Sequence, residues 1–301
     1  MSDAFEIKGC DYEHVLDFAD VGREFAYVRT PALALSQVVL GGEVFDATEY
    51  SLANHIMLHA NGVRPLKAIP VFPGRSFRNN AIFAARDSTL SSPAELVGKR
   101  IGVSEFAMTA AVWARGHLHD DFGLDWRDVQ WITGPNPRFP TPEGINAQVR
   151  EGNLEAMLIA GEIDAVITGK PRNREALRCL VDDPAARERA YFAQTGIYPI
   201  MHTVVLHERH AHDEATARAL FDSYIAARKR ALERQLGASF LPFAERLWHE
   251  TALKDATRYG LTDANCRAVA TLSRYLREQG FIAREPGIDD LFFPGSAAWP
   301  N

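Results

Sequence analysis

Pro93-Ala94-Glu95-Leu96-Val97-Gly98-Lys99-Arg100-Ile101-Gly102-Val103 is the stretch that decides how this chain folds. A short helical turn, a glycine and a basic pair lead into an apolar run, the unit that often precedes a crossover between lobes. Outward from it, the first two-thirds of the chain alternates short apolar runs with helical stretches. Strands are expected at 5–7, 26–28, 68–71, 81–83, 100–103, 165–168 and 202–206, and helices at 13–18, 51–60, 107–121 and 153–160. Such alternation indicates an α/β sheet, whose ligand groups gather at the carboxyl ends of the strands. Beyond Asp213 the pattern turns almost wholly helical, over 213–236, 240–257 and 263–279. Asp213 and Asp263 are placed to cap helix starts, and Gly237, Gly260 and Gly280 to end helices.

A chain of 301 residues is long enough for two lobes, and 47% hydrophobic with 24% charged residues is ordinary for a globular protein. The net charge of −6, from 33 basic and 39 acidic residues without any block of like charge, gives no support for nucleic acid or a membrane surface as partner. No apolar run reaches the length of about 18 residues that a membrane span needs. Met1 to Asp11 carries acidic residues and no continuous apolar core, so no secretory signal is read there and a cytoplasmic location is expected. Cys10, Cys179 and Cys266 are odd in number and far apart, which fits reduced thiols rather than a disulfide framework or a zinc site.

The segment Pro70-Val71-Phe72-Pro73-Gly74-Arg75-Ser76-Phe77-Arg78-Asn79-Asn80-Ala81-Ile82 sets two arginines in a Pro/Gly turn between apolar runs. Arginine grips a carboxylate with two parallel bonds, so Arg75 and Arg78 point to a small acidic ligand. His202 is the first choice for a proton-moving group, because imidazole ordinarily titrates near neutrality. Glu105 follows an expected strand and precedes an expected helix, where a carboxylate can serve as an acid. Thr109 falls in the first turn of that helix, Glu49 and Ser51 at the equivalent helix start in the first lobe, and Asp11 and Tyr12 after the first strand. Each of these also has a plain reading as a cap or packing residue. His55 and His59 share a helix face but lack a zincin glutamate and a third ligand, and His207, His210 and His212 read as a solvated linker, so no metal is expected. There is no GxGxxG after a strand, no P-loop and no GxSxG elbow.

Four motifs in order carry a resemblance. They are Val71-Phe72-Pro73 with Arg75 and Phe77-Arg78; Gly102 to Gly116, containing Ser104-Glu105-Phe106; Thr195-Gly196-Ile197-Tyr198-Pro199-Ile200-Met201-His202; and the tail from Tyr259-Gly260-Leu261 through Asn265 and Tyr275-Leu276-Arg277-Glu278-Gln279-Gly280-Phe281 to Leu291-Phe292-Phe293-Pro294. Over about residues 45–294 the chain resembles the 4,5-dihydroxyphthalate decarboxylase family. The resemblance implies a two-lobed fold like the type II periplasmic binding proteins, with a helical C-terminal region and the ligand between the lobes. Lobe one would hold 1–103 plus 202–301, and lobe two 104–201. Two positions depart from the family pattern: Asn79 stands where a histidine often follows the second arginine, and Lys170 where an arginine is usual. Lysine is a point charge rather than a fork.

Removing a ring carboxylate from a hydroxylated aromatic acid needs electron density at the carbon that loses carbon dioxide. A deprotonated phenol para to it supplies that density, and a proton must then reach the ring carbon. Such a site requires a cation for the carboxylate that stays, a base and an acid. It requires no metal or organic cofactor, because the ring is the electron sink. The expected function is therefore a cofactor-independent decarboxylase of a 4,5-dihydroxyphthalate-like di-acid, giving protocatechuate, and a homo-oligomer is compatible with it. A non-catalytic binding or sensor protein for an aromatic carboxylate, and another lyase on the same scaffold similar to chorismate dehydratase, are the competing readings.

Overall fold

A computed structural model describes residues 4–18, 25–42, 44–64, 66–238 and 256–299. In chain order its strands are β1 (Phe5–Gly9), β2 (Phe25–Arg29), β3 (Ala47–Ser51), β4 (Lys67–Ile69), β5 (Ile82–Ala85) and β6 (Arg100–Val103). They continue as β7 (Gln130–Thr133), β8 (Ala147–Val149), β9 (Ala165–Ile167), β10 (Leu177–Cys179) and β11 (His202–Leu206). The helices are α1 (Ala32–Leu40), α2 (Leu52–Ala60), α3 (Thr109–Phe122), α4 (Leu154–Ile159), α5 (Pro184–Thr195), α6 (Glu214–Ala238), α7 (Asp263–Glu278) and α8 (Ile288–Leu291). No helix among the described residues is long and apolar enough to cross a membrane.

Two compact units result, one from Met1–Arg75, Ile200–Ala270 and Pro286–Asn301, the other from Ser76–Pro199 and Thr271–Glu285. The first holds a five-stranded sheet in the order β2-β1-β3-β11-β4. Strand β3 runs parallel to β1 and antiparallel to β11, with His202 opposite Ser51 and Val204 opposite Glu49. All five residues of β3 are buried, as expected for a central strand covered on both faces. This corrects the expectation that Glu49 and Ser51 begin a helix: Glu49 is a strand residue. Ser51 ends the strand and caps α2, accepting the Asn54 amide at 3.3 Å. The helix expected at 13–18 shrinks to one 3₁₀ turn at Glu13–Val15.

The second unit holds a six-stranded sheet, β10-β5-β9-β6-β7-β8. Strands β9, β6, β7 and β8 are parallel, while β5 pairs antiparallel with both β9 and the edge strand β10. The chain changes unit at Arg75/Ser76, not at the Val103/Ser104 junction the sequence suggests. Strand β5 pairs with β9, and that pairing carries residues 76–103 into the second sheet. The tail differs too, since Thr271–Glu285 packs in the second unit instead of returning to the first. Gly116 makes this possible: a Cβ there would sit 2.3 Å from the Tyr275 ring. Tyr275 then donates its hydroxyl to Asp120 at 2.7 Å, and Arg115 donates to Gln279 at 2.8 Å. The helix expected at 240–257 falls almost entirely outside the described residues.

Candidate active site

The register of the first sheet builds the main cluster. His202 lies opposite Ser51, so Glu49, two residues earlier on β3, is its diagonal neighbour on the same face. His202 Nδ1 sits 2.5 Å from Glu49 Oε1. Strand β1 flanks β3 on the other side and delivers two more donors: the Tyr12 hydroxyl to Glu49 Oε1 at 2.8 Å and the Cys10 amide to Oε2 at 2.8 Å. The Glu49 side chain is 1% exposed, whereas that of His202 is 25% exposed. Burial alone would favour the neutral acid, but His202, the Cys10 amide and Tyr12 outweigh it and hold Glu49 below the usual carboxylate range. Since a carboxylate only accepts, His202 Nδ1 is the nitrogen that donates to Glu49, and Nε2 is the ring nitrogen turned away from that bond.

The surrounding groups are arranged as proton keepers. Burial first, then the charge of Glu49, pushes the Tyr12 phenol far above its ordinary value, and the same causes push the Cys10 thiol up to about 12. His14 stacks on Tyr12 with ring centres 5.1 Å apart, and burial lowers it to about 4. Gly74 closes over the pair: its carbonyl accepts the amides of Met201 at 2.8 Å and His202 at 3.2 Å. A Cβ at Gly74 would come within 3.1 Å of both His202 Nδ1 and the Tyr12 hydroxyl. Neither Gly74 nor Cys10 stands out in the sequence; only their proximity to His202 and Glu49 marks them.

The remaining candidates of the first unit have structural employment. Asp11 forms an exposed pair with Arg29, at 3.3 Å. Arg75 donates to Asn265 Oδ1 at 2.7 Å and to the Arg258 carbonyl at 3.3 Å, over the Phe72 ring. The two loop arginines therefore part company, Arg75 in the first unit and Arg78 in the second. His55 is buried and its Nε2 lies 3.0 Å from the Leu291 carbonyl oxygen. His210 pairs with Asp46 at 2.8 Å, so the expected solvated linker is partly tied down.

In the second unit the interest lies at the carboxyl ends of β9, β6 and β7, which are adjacent and parallel. Arg78 enters this edge just before β5 and lies over Gly169, where a Cβ would be 2.7 Å from its Nη1. Burial pulls its guanidinium below the ordinary value, opposed by Tyr198 and Glu188. Lys170 follows, exposed, in the turn after β9. Thr109 opens α3, whose N-cap residue Met108 offers no side-chain cap. Glu105, read from sequence as an acid, is instead engaged by Arg138, which donates from Nε at 2.5 Å and contacts the same oxygen through Nη2. A carboxylate held this way is an acceptor and a brace. Arg138 itself escaped the sequence reading, because it stands 33 positions along the chain from its partner and no motif marks it.

No family model matches the chain. The 4,5-dihydroxyphthalate decarboxylase of Comamonas testosteroni is 31% identical over 276 residues, covering 84% of this chain and 83% of that protein. The protein of the same name from Pseudomonas putida is 40% identical over 134 residues, 41% of this chain and 52% of its own length. Among solved structures, the periplasmic aliphatic sulphonate binding protein SsuA from Escherichia coli superposes with a TM-score of 0.58 at 14% identity, covering 97% of this chain and 92% of that one. The desulfurization enzyme DSZB does so with a TM-score of 0.52 at 14% identity, covering 97% of each chain. These likenesses establish a two-lobed, periplasmic-binding-protein-like α/β fold with helices in its C-terminal region. They do not choose a function, since one is a binding protein and the other an enzyme. The sequence relatives do choose: this chain belongs to the 4,5-dihydroxyphthalate decarboxylase family.

Proposed function

We propose that the chain releases carbon dioxide from 4,5-dihydroxyphthalate or a closely similar hydroxylated aromatic di-acid, in the cytoplasm, without a metal or organic cofactor. Family membership supports the carboxy-lyase class, and the Glu49–His202 pair is the observation that supports the chemistry. His202 Nε2 takes the proton of the phenol para to the leaving carboxylate, while Glu49 steadies the imidazolium that forms. The phenolate electrons move into the ring, and the ring carbon that bears the leaving carboxylate takes the proton from the imidazolium. The bond to the carboxylate then breaks, carbon dioxide leaves, its electron pair flows back through the ring to restore the phenolate, and the phenolate takes the one net proton of the reaction from solvent. Tyr12 and Cys10 keep their own protons and orient Glu49. Arg78, Lys170 and Thr109 serve carboxylate recognition, with Arg75 and Asp11 bracing the loops beside the first cluster. Cofactor independence rests on the ring's own capacity to take up the electron pair.

The test is direct. Purified protein, extensively chelated and dialysed, is mixed with 4,5-dihydroxyphthalate, and carbon dioxide and protocatechuate are measured. Stoichiometric formation of both supports the reading. Activity that vanishes on chelation and returns with a divalent ion overturns cofactor independence. Tight binding without carbon dioxide release would place the protein among binding or sensor proteins.

A further inference from the structure

We propose that Tyr12 is a positioning residue that divides the charge of Glu49, so that His202 gives back the proton it takes. The inference rests on the proposed reaction, in which one ring nitrogen removes a proton and returns it to the ring carbon. A carboxylate with a single imidazole partner would stabilise the imidazolium strongly and make it a reluctant acid. Glu49 is not such a carboxylate. His202 Nδ1 lies 2.5 Å from Oε1, the Tyr12 hydroxyl donates to the same oxygen at 2.8 Å, and the Cys10 amide donates to Oε2 at 2.8 Å. The Tyr12 hydroxyl and His202 Nδ1 stand 3.4 Å apart, as two donors that meet at one acceptor. A hydrogen bond from Tyr12 stabilises the carboxylate in its own right, and so reduces what the carboxylate gains from a charged imidazole.

Local structure holds Tyr12 to this task. Its ring stacks on His14 with centres 5.1 Å apart and planes at 12°. A Cβ at Gly74 would come within 3.1 Å of both the hydroxyl and His202 Nδ1, so backbone alone covers the two donors. At 1% exposure the Glu49 side chain is all but closed to water, and solvent does not make up the share that Tyr12 takes. The other titratable groups around the pair keep one charge state near neutral pH. Burial pushes up the Tyr12, Tyr27, Tyr224 and Tyr259 phenols, and the Cys10 thiol to about 12. His14, lowered by burial to about 4, is neutral there. Glu13 and Arg228 act on His14, Arg75 acts on Tyr259, and Asp11 pairs with Arg29. None of these side chains is of a type that titrates near neutrality. A protonation step seen there thus reports the pair itself.

Proton NMR of the histidine rings in the ligand-free protein, followed against pH, tests this without turnover. His202 is assigned by the signal missing from His202→Ala. Tyr12→Phe keeps the ring and its stack but removes the donor, and should raise the midpoint of that signal by about half to one pH unit. In turnover with 4,5-dihydroxyphthalate the acid limb of kcat/KM should move up equally. Plateau kcat should fall about three- to tenfold as proton return slows. Incorporation of 3-fluorotyrosine at position 12 makes the phenol a stronger donor, and should lower the midpoint. Tyr27→Phe removes a neighbouring hydroxyl that donates to the Cys10 carbonyl at 2.9 Å, and should leave the midpoint in place. Melting temperatures confirm folding of each variant. An unmoved or lowered midpoint in Tyr12→Phe would overturn the proposal. So would an equal rise in Tyr27→Phe, or a rise with 3-fluorotyrosine. A protein that releases no carbon dioxide yet shows the two opposite shifts would overturn the reaction and leave the coupling of Tyr12 to the pair standing.

Discussion

The two units of this chain gather their charged groups beside the parallel strands of a mixed sheet, with opposite electrostatic character. In the first, one buried carboxylate, Glu49, collects an imidazole, a phenol and an amide at 2.5–2.8 Å. In the second, Arg78, Arg138 and Lys170 follow or border neighbouring strands, with Glu105 the acid that braces one of them. A buried carboxylate surrounded by donors stabilises a passing positive charge, as on an imidazolium. A cationic edge stabilises anions. On the proposed reading, proton transfer belongs to the first sheet and charge recognition to the second, so substitutions in each should fail differently.

The largest difference should appear in turnover. His202→Ala is expected to lower kcat by about 10²- to 10⁴-fold with little change in KM. Glu49→Gln keeps the shape but turns one acceptor into a donor, which drives His202 into the wrong tautomer; a kcat loss of similar order is expected. Steady-state kinetics on the purified variants decides it. A kcat near wild type in both would strip the first unit of its chemical role and leave the comparison without its first term.

Much of the fold was legible because it obeys simple periodicity. Strands β6 and β9 are short apolar runs, and α3 begins within two residues of the expected place. Strand β3 was not legible: Thr48, Glu49, Tyr50 and Ser51 look like a polar helix start, and only the neighbouring strands explain their burial. The unit boundary was misplaced because the partner of β5 is β9, more than 80 positions away, and nothing local records that pairing. His202, Glu49 and Tyr12 were each picked singly, but their meeting is a consequence of register. Arg138 was invisible for the same reason.

Acid should strain both units alike, and this sharpens what is not different between them. Each carries a buried histidine lowered by burial to about 4: His55 in the first and His117 in the second. Neither His117 ring nitrogen makes a hydrogen bond; Asp121 Oδ2 stands 3.8 Å from Nδ1, and Trp113, Tyr191 and Tyr275 pack around the ring. A histidine with a native pKa below its unfolded value of about 6.5 binds its proton only on unfolding. Its penalty is therefore absent above that value and grows as pH falls from about 6.5 toward 4, to about 3 kcal/mol for a shift of this size. Glu49 adds to the loss lower down: its contribution is present above the ordinary carboxylate value and disappears as pH falls through its depressed native one. Urea midpoints should drop between pH 7 and 5, and His117→Phe should flatten that slope. An unchanged slope in the variant would assign the acid lability elsewhere.

Recognition should respond in KM rather than kcat. Arg78→Ala is expected to cost about 2 kcal/mol of binding, some 30-fold in KM, for a partly desolvated charge facing a carboxylate. Arg78→Lys should recover only part of it, since the fork is lost. If instead kcat falls and KM holds, the cationic edge takes part in chemistry and the division between the units fails.

The smallest effect is the most specific probe of that edge. Gly169→Ala adds one methyl where Arg78 Nη1 lies 2.7 Å from the new carbon. The obstructed atom is the far end of a flexible side chain, so the guanidinium moves while the fold stays, and the melting temperature should shift by no more than a degree or two. Gly169 is in an exposed turn and has no positive φ, so alanine brings no backbone strain of its own. Any loss of affinity therefore reports where Arg78 points. A three- to tenfold rise in KM with unchanged kcat is expected, and Gly169→Ala combined with Arg78→Ala should be no worse than Arg78→Ala alone. Additive losses in the double variant would show that residue 169 meets the substrate itself, and no loss in the single variant would show that the position of the Arg78 guanidinium is immaterial to binding.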